Sequence, residues 1–260
     1  MVALAFIGSI QHEIAKDAVR KLIDTIKTEA ACDCLVVCNA NGLFATASKL
    51  DEQLEMLFDS GIDLVMVGEQ AISRNCCRSV FAKAQWPVIK ALNLPGSNEK
   101  TSVKNIEYGP EAFCFVSTVD GSGKIPVEHS FIKLDELVKN ITSNSILVIN
   151  ENGTDYRYLQ ALTYRYSRLK NTVLMFGSGN ALATTPSLYN GNNCLLQCDV
   201  GSVVTENTIW GIDPEQWWTK NIERRPLTLL PKWGALHCDY TITWMNNGKI
   251  ERFAAKSIRI

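Results

Sequence analysis

The sequence predicts a layered α/β sandwich. Short apolar runs rich in β-branched residues are too brief for helices, and they alternate with stretches carrying a helical apolar stripe. Antiparallel pieces later in the chain add a second kind of strand pairing, as layered α/β folds require. With 260 residues and no Pro/Gly/Ser-rich linker, residues 1–260 are expected to form one domain with ample core.

Val2–Ile7 reads as the first strand, followed by a loop, Gly8-Ser9-Ile10-Gln11. Residues 12–30 set Ile14, Val19, Leu22, Ile23 and Ile26 on one helical stripe. Residues 33–38 are a second strand, and Asn39-Ala40-Asn41-Gly42-Leu43-Phe44 a loop. Ser48, with Asp51 three residues on, has the spacing of a capping box. The helix it opens carries Leu50, Leu54, Leu57 and Phe58 and is closed by Gly61. The run from Gly61 to Gly68 is a strand buried on both faces, and Glu69-Gln70 stand in the loop at its carboxyl end. In open α/β sheets that edge is where ligands bind.

A short helix is expected over 74–84, a strand over 87–92 and a loop over 97–102. Val103–Tyr108 and 112–118 form an antiparallel pair turned at Gly109-Pro110, and a polar excursion over 120–124 precedes a helix at 133–142. Strands at 146–149, 173–176 and 194–198 follow, with a tyrosine-rich helix after the first of them. Asp213-Pro214-Glu215-Gln216 is a strong helix start. Trp217 and Trp218 lie about 100° apart on that helix, so one of them faces a neighbouring element or a second copy of the chain. The tail, 236–260, is a hairpin turned at Asn247-Gly248.

A formal net charge of −1 with no basic block gives no electrostatic attraction to nucleic acid or anionic lipid. The apolar start is too short for a membrane span and lacks a cationic leader, so a cytoplasmic protein is expected. The nine cysteines include no C-x-x-C, and strand residues four apart are about 13 Å apart, so they are expected as reduced, mostly buried thiols. His12, His129 and His237 are the only histidines; none neighbours another or an acidic cluster, and each is expected on the surface or in packing.

The strand ends read Phe6-Ile7-Gly8-Ser9, Cys38-Asn39-Ala40-Asn41-Gly42, Gly61-Ile62-Asp63 through Gly68-Glu69-Gln70, and Leu92-Asn93-Leu94-Pro95. They continue as Asn150-Glu151-Asn152, Gly177-Ser178-Gly179-Asn180-Ala181, Asp199-Val200-Gly201 and Gly211-Ile212-Asp213-Pro214-Glu215. In order and spacing, over about residues 1–222, this resembles the bacterial calcineurin-like metallophosphoesterases of the YmdB-type, 2′,3′-cyclic-nucleotide phosphodiesterase branch. The resemblance implies a calcineurin-like four-layer α/β/β/α sandwich. It also implies two metal ions held by carboxylates, an asparagine and histidines, with a further histidine protonating the leaving group. By that resemblance the bridging aspartate is replaced by Ser9, the glutamate by Ala40, the bridging asparagine by Glu69 and the acid histidine by Gln70. The three ligand histidines fall at Asn152, Gly179 and Ala181, and only Asn41 is unchanged.

The residues themselves give the same expectation. A dinuclear hydrolase needs several anionic or imidazole donors within about 2–2.5 Å of its metals. The loops offer Ser9, Asn41, Gln70, Asn93, Asn152 and Asn180, which are neutral, with Glu69 and Asp199 as nearby carboxylates and Glu151 a third candidate. The leading expectation is a degenerate, non-catalytic member with no metal, acting by binding a small polar or nucleotide-like ligand or by assembly, with a homo-oligomer through Trp217 and Trp218. The alternative is a residual or altered metal-dependent phosphodiesterase or phosphatase, with Glu69 as general base, or Glu69 and Asp199 holding one Mg or Mn. Dinucleotide binding fails, because Gly8-Ser9-Ile10-Gln11 lacks the glycine pattern a pyrophosphate needs.

Overall fold

A computed structural model of the chain describes residues 1–121, 125–142, 144–153, 155–189 and 193–260. Within the predicted polar excursion, Ser122, Gly123 and Lys124 lie outside the described residues. The first half begins β1 (Val2–Ile7), β2 (Ser9–Ile10), α1 (Lys16–Ala30), β3 (Cys34–Asn39), α2 (Asn41–Thr46), α3 (Leu50–Asp59) and β4 (Leu64–Val67). A 3₁₀ turn over Glu69–Ile72 leads into α4 (Asn75–Lys83), β5 (Val88–Lys90), α5 (Glu99–Ser102), β6 (Val103–Tyr108) and β7 (Glu111–Val119). Next come α6 (Ser130–Asn140), β8 (Ile146–Asn152), α7 (Tyr156–Tyr166), β9 (Val173–Gly177), β10 (Ser187–Tyr189) and β11 (Cys194–Gln197). The chain ends with β12 (Ser202–Thr205), α8 (Pro214–Asn221), β13 (Leu236–Asn246) and β14 (Lys249–Arg259).

Two sheets result, one in the order β2-β12-β13-β1-β3-β4-β5 with β14 paired to β13, the other β10-β11-β9-β8-β7-β6. Strand side chains alternate between faces, and in the central strands β1, β3, β4, β8 and β9 both faces are buried, so each of these feeds two apolar layers. In β1, Ala3, Ala5 and Ile7 pack under Val19, Leu22, Ile23 and Ile26 of α1. Val2, Leu4 and Phe6 point the other way, into a layer shared with Phe113, Val148, Leu174 and Phe176 of the second sheet. The Phe6 and Phe176 rings stack there with centroids 4.6 Å apart. The opposite face of the second sheet gives Cys114, Leu147, Ile149 and Met175 to Leu134, Leu137, Leu159 and Leu162 of α6 and α7. Three apolar layers separate four layers of secondary structure, and the fold is the α/β/β/α sandwich.

Several local expectations are corrected. Ser9–Ile10, predicted as loop, is a short strand parallel to β12. In the predicted loop at 39–44, α2 begins at Asn41, 97–102 contains α5 opened by an Asn98–Thr101 capping box, and α6 begins at Ser130 rather than 133. The Ser48–Asp51 capping box is not made: Lys49 is the N-cap, and the Ser48 amide and hydroxyl both donate to Glu13 Oε1, at 2.7 and 2.8 Å. A carboxylate reaching across from another segment outcompetes the local cap, because charge-assisted bonds are the stronger ones. All nine cysteines are free, and six are buried; burial pushes the Cys34 thiol up to about 12. Among the described residues no helix is long and apolar enough to cross a membrane.

The final hairpin turns as predicted, with φ of 50° at Asn247 and 73° at Gly248, the pair of positive values a type I′ turn demands. A Cβ at Gly248 would meet nothing within 4 Å, so any penalty there is conformational. Gly248→Ala is therefore expected to destabilise by about 1 kcal/mol in urea unfolding, through left-handed backbone strain.

Candidate functional site

Parallel pairing fixes where the site lies. β1, β3, β4 and β5 run parallel in one sheet, and β7, β8, β9 and β11 in the other. Their carboxyl ends meet across the shared apolar layer. What converges there is a buried network of neutral side chains. Ser9 Oγ donates to Asn39 Oδ1 at 3.1 Å, and the Asn41 amide donates to the same oxygen at 2.9 Å. Asn39 Nδ2 donates across the sheets to Asn152 Oδ1 at 2.6 Å and Ser178 Oγ at 2.8 Å. Ser178 Oγ in turn donates to Asn150 Oδ1 at 2.8 Å. Asn152 Nδ2 donates to Ser117 Oγ at 2.9 Å and to the Thr118 carbonyl at 3.1 Å. Ser117 Oγ closes the link to β4 by donating to the Val67 carbonyl at 3.0 Å.

The two central amides have no freedom to turn over. The Asn41 N–H can only donate and the Thr118 carbonyl can only accept. The first therefore fixes Asn39 Oδ1, and the second fixes Asn152 Nδ2. The remaining donor of Asn39 and acceptor of Asn152 then face each other at 2.6 Å. Asn41 is oriented the same way: its Oδ1 accepts the Gly68 and Gln70 amides, both at 3.1 Å, and its Nδ2 is left to donate to Glu69 Oε1 at 3.2 Å.

Beside this network is a cavity of about 130 Å³ whose polar lining is Asn41, Glu69, Asp120, Asn152 and Ser178. Asp120 was not singled out as a site residue by sequence, because β7 reads there as half of an antiparallel pair. Its other edge runs parallel to β8, so its carboxyl end also opens onto the site. Two other candidate carboxylates lie elsewhere. Glu151 is on the strand face opposite Asn150 and Asn152, so it points toward α7. Its Oε2 accepts the Thr118 hydroxyl and its Oε1 has no partner. Burial pushes its carboxyl up to about 8, against the pull of the Thr118 hydroxyl. Asp199 is buried under the loop that follows β9. Its Oδ2 accepts the Gly179 and Asn180 amides at 3.2 and 2.7 Å, and its Oδ1 the Gly201 amide at 2.8 Å. Burial raises its carboxyl above the usual range, in spite of those amides.

The model of the YmdB-like protein family matches residues 5–253. The chain belongs to the YmdB-like family. A hypothetical protein from Thermus thermophilus superposes with a TM-score of 0.82 at 20% identity, covering 99% of each chain. A novel phosphatase from Mycoplasma pneumoniae gives 0.79 at 14% identity, covering 99% of this chain and 93% of that one. The NAD nucleotidase of Haemophilus influenzae gives 0.59 at 7% identity, and the chain spans 50% of its length. Among curated proteins none matches. The fold is that of the calcineurin-like phosphoesterases.

Within this YmdB-like chain the residues expected at the cleft divide. Asn41, Glu69, Asn152 and Gly179 line the cavity. Ser9 lies behind it on Asn39, and Ala40, fully buried, starts α2 with its amide on the Met66 carbonyl at 2.9 Å. Gln70 Nε2 donates to Glu69 Oε1 at 3.3 Å. Asn93 acts as a brace. Its Nδ2 donates to the Val119 and Glu128 carbonyls and its Oδ1 accepts the Val119 amide, tying the end of β5 to the end of β7. Ala181 holds a left-handed φ of 57°. At Gly179, a Cβ would lie 2.0 Å from the Gly153 carbonyl oxygen, so the backbone admits no side chain there.

The histidines are elsewhere. His12 is buried; its Nε2 accepts the Thr205 amide at 3.2 Å and its Nδ1 donates to the Glu13 carbonyl at 2.7 Å. His129 stacks on Phe131, and His237 bonds Asp239 at 2.9 Å. Asn39 and Ser178 stand in the strand-end motifs without a role assigned from sequence, and Ser117 is not singled out at all, since small polar residues at strand ends look like ordinary loop entries.

Proposed function

We propose that this YmdB-like chain keeps the phosphoesterase scaffold, lacks dinuclear hydrolytic chemistry, and acts by binding. The observation that carries this is the direct bond between Asn39 Nδ2 and Asn152 Oδ1, with both amides oriented by backbone groups. A pair of dications needs lone pairs aimed at a shared space. Here the converging side chains use their lone pairs on one another, and Asn39 presents a donor. Glu69 and Asp120 are the carboxylates lining the cavity, too little negative charge for two metals, and Gly179 leaves no room for an imidazole. The residues do not fit the family's metal pair. At about 130 Å³ the cavity also falls below the roughly 300 Å³ from which drug-sized pockets begin. Space of that size suits a small polar group, and binding by an outer surface is the second route.

A second reading rests on Glu69 and Asp120 facing the same cavity: one Mg²⁺ or Mn²⁺ held there, or by Glu69 with Asp199, with weak phosphodiesterase activity. Calorimetric titration with Mn²⁺ and a panel of cyclic and linear phosphodiesters separates the two. No saturable heat and no turnover above the metal-only rate are expected, and Glu69→Gln should change neither. Stoichiometric Mn²⁺ binding with turnover abolished by Glu69→Gln would establish the second reading.

A further inference from the structure

We propose that the surface built by residues 206–234 is a self-association face that takes a second copy of this chain. Helix α8 carries Trp217 and Trp218 yet buries no residue. A helix this short is stabilised by packing an apolar face, and here that packing is incomplete. Of the expected pair, Trp218 is the one displayed, at 53% exposed, with Trp217 partly covered. Two further tryptophans join it. The antiparallel bridge Ile212–Pro231, with the Lys232 amide donating to the Gly211 carbonyl at 2.7 Å, sets Trp210 opposite Trp233. Both are 62% exposed. Trp210 holds a φ of 51°, a left-handed backbone that bulky side chains avoid. The strained residue displays its ring to solvent. Leu230 is tied to α8 through its amide on Gln216 Oε1 at 3.3 Å, and Ile222 follows Trp218 by one helical turn.

Area and charge together select the occupant. Three tryptophans at these exposures offer about 270–440 Å² of surface. With Ile222, Leu227 and Leu230, all exposed, the summed exposed surface reaches roughly 500–700 Å², at or above the largest patches usual on monomers and of the order of the ~800 Å² each partner gives to a standard interface. The segment has four anionic and four cationic residues. Asp213 pairs with Lys232 at 2.8 Å, Glu223 with Arg225 at 3.2 Å, and Glu206 with Arg259 at 2.9 Å. Such a face draws neither an acidic nor a basic partner, and two copies meet on it without like-charge repulsion, as a closed two-fold contact requires. The inference stands whether or not the cleft turns over phosphodiesters.

Analytical ultracentrifugation of the full chain tests it, with Trp233→Asp and Leu230→Glu as exposed-site variants checked for folding by far-UV circular dichroism. The native chain should sediment at twice 28.9 kDa. Each variant should dissociate at least about tenfold more readily, with an unchanged spectrum. A native chain that stays monomeric at tens of micromolar overturns the proposal and leaves the face to a partner of another kind. A dimer that both folded variants retain unchanged also overturns it.

Discussion

Replacing Glu151 by glutamine is expected to remove a loss of stability that the native chain shows between about pH 5 and 8. The folded carboxyl is pushed up to about 8, by burial first, against a reference of 4.5. Between those values the unfolded chain has released the proton and the folded chain still holds it. The contribution of Glu151 is therefore fully present below the unfolded pKa and falls by about 1.4 kcal/mol per pH unit, up to about 5 kcal/mol by pH 8. Asp63 and Asp199, whose carboxyls are also raised by burial, slope in the same direction at lower pH. Asp135, held low chiefly by Arg165, slopes the opposite way in acid. Glutamine has the shape of the protonated acid and cannot ionise. Urea unfolding at pH 5, 6.5 and 8 should show the native stability falling with pH while that of Glu151→Gln stays nearly level. Parallel pH profiles for the two proteins would mean that Glu151 is already charged or solvated in the fold.

The position of Glu151 also shows what the sequence could and could not convey. The apolar runs reported the buried strands well, because a strand covered on both faces must be apolar along its length. The helical stripe of α1 and the Asn-Gly turn were legible for similarly local reasons. Which face a strand-end carboxylate takes depends on where the strand stops. β8 continues through Asn152, and that extension turns Glu151 away from the cleft between two asparagines that face it. Asp120 was hidden by the opposite circumstance, a strand whose visible partner is antiparallel and whose second partner is distant in sequence. The Ser48 cap failed because Glu13, thirty-five residues earlier, took both of its donors. Family resemblance points to the loop tips, and the backbone approach at Gly179 adds what no motif carries, a space too small for a side chain. Such contacts between distant segments leave no periodicity to read.

The cleft's neutrality predicts the second large effect, at Asn39. This fully buried side chain receives the Ser9 hydroxyl and the Asn41 amide, and gives its two protons to Asn152 and Ser178. Asn39→Ala takes a hydrogen-bond partner from all four groups, most of them buried. At about 1–3 kcal/mol for each buried group left unsatisfied, and with relaxation sharing the loss, it should destabilise by about 3–5 kcal/mol. Asn39→Asp is the sharper variant. It keeps the acceptor that Ser9 and Asn41 use, but sets a second oxygen against Asn152 Oδ1. Asn152 cannot turn over in response, because its Nδ2 is held by the Thr118 carbonyl. A buried carboxylate facing another oxygen must bind a proton or a cation to persist. Asn39→Asp is therefore expected to unfold at lower urea than the native chain at pH 8, to recover on acidification, and to gain stability from Mn²⁺. The native chain should show no response to Mn²⁺. If Asn39→Asp were as stable as the native chain at pH 8 without metal, the side chains of the cleft would not be locked to one another. Their lone pairs would then be free to turn toward a metal.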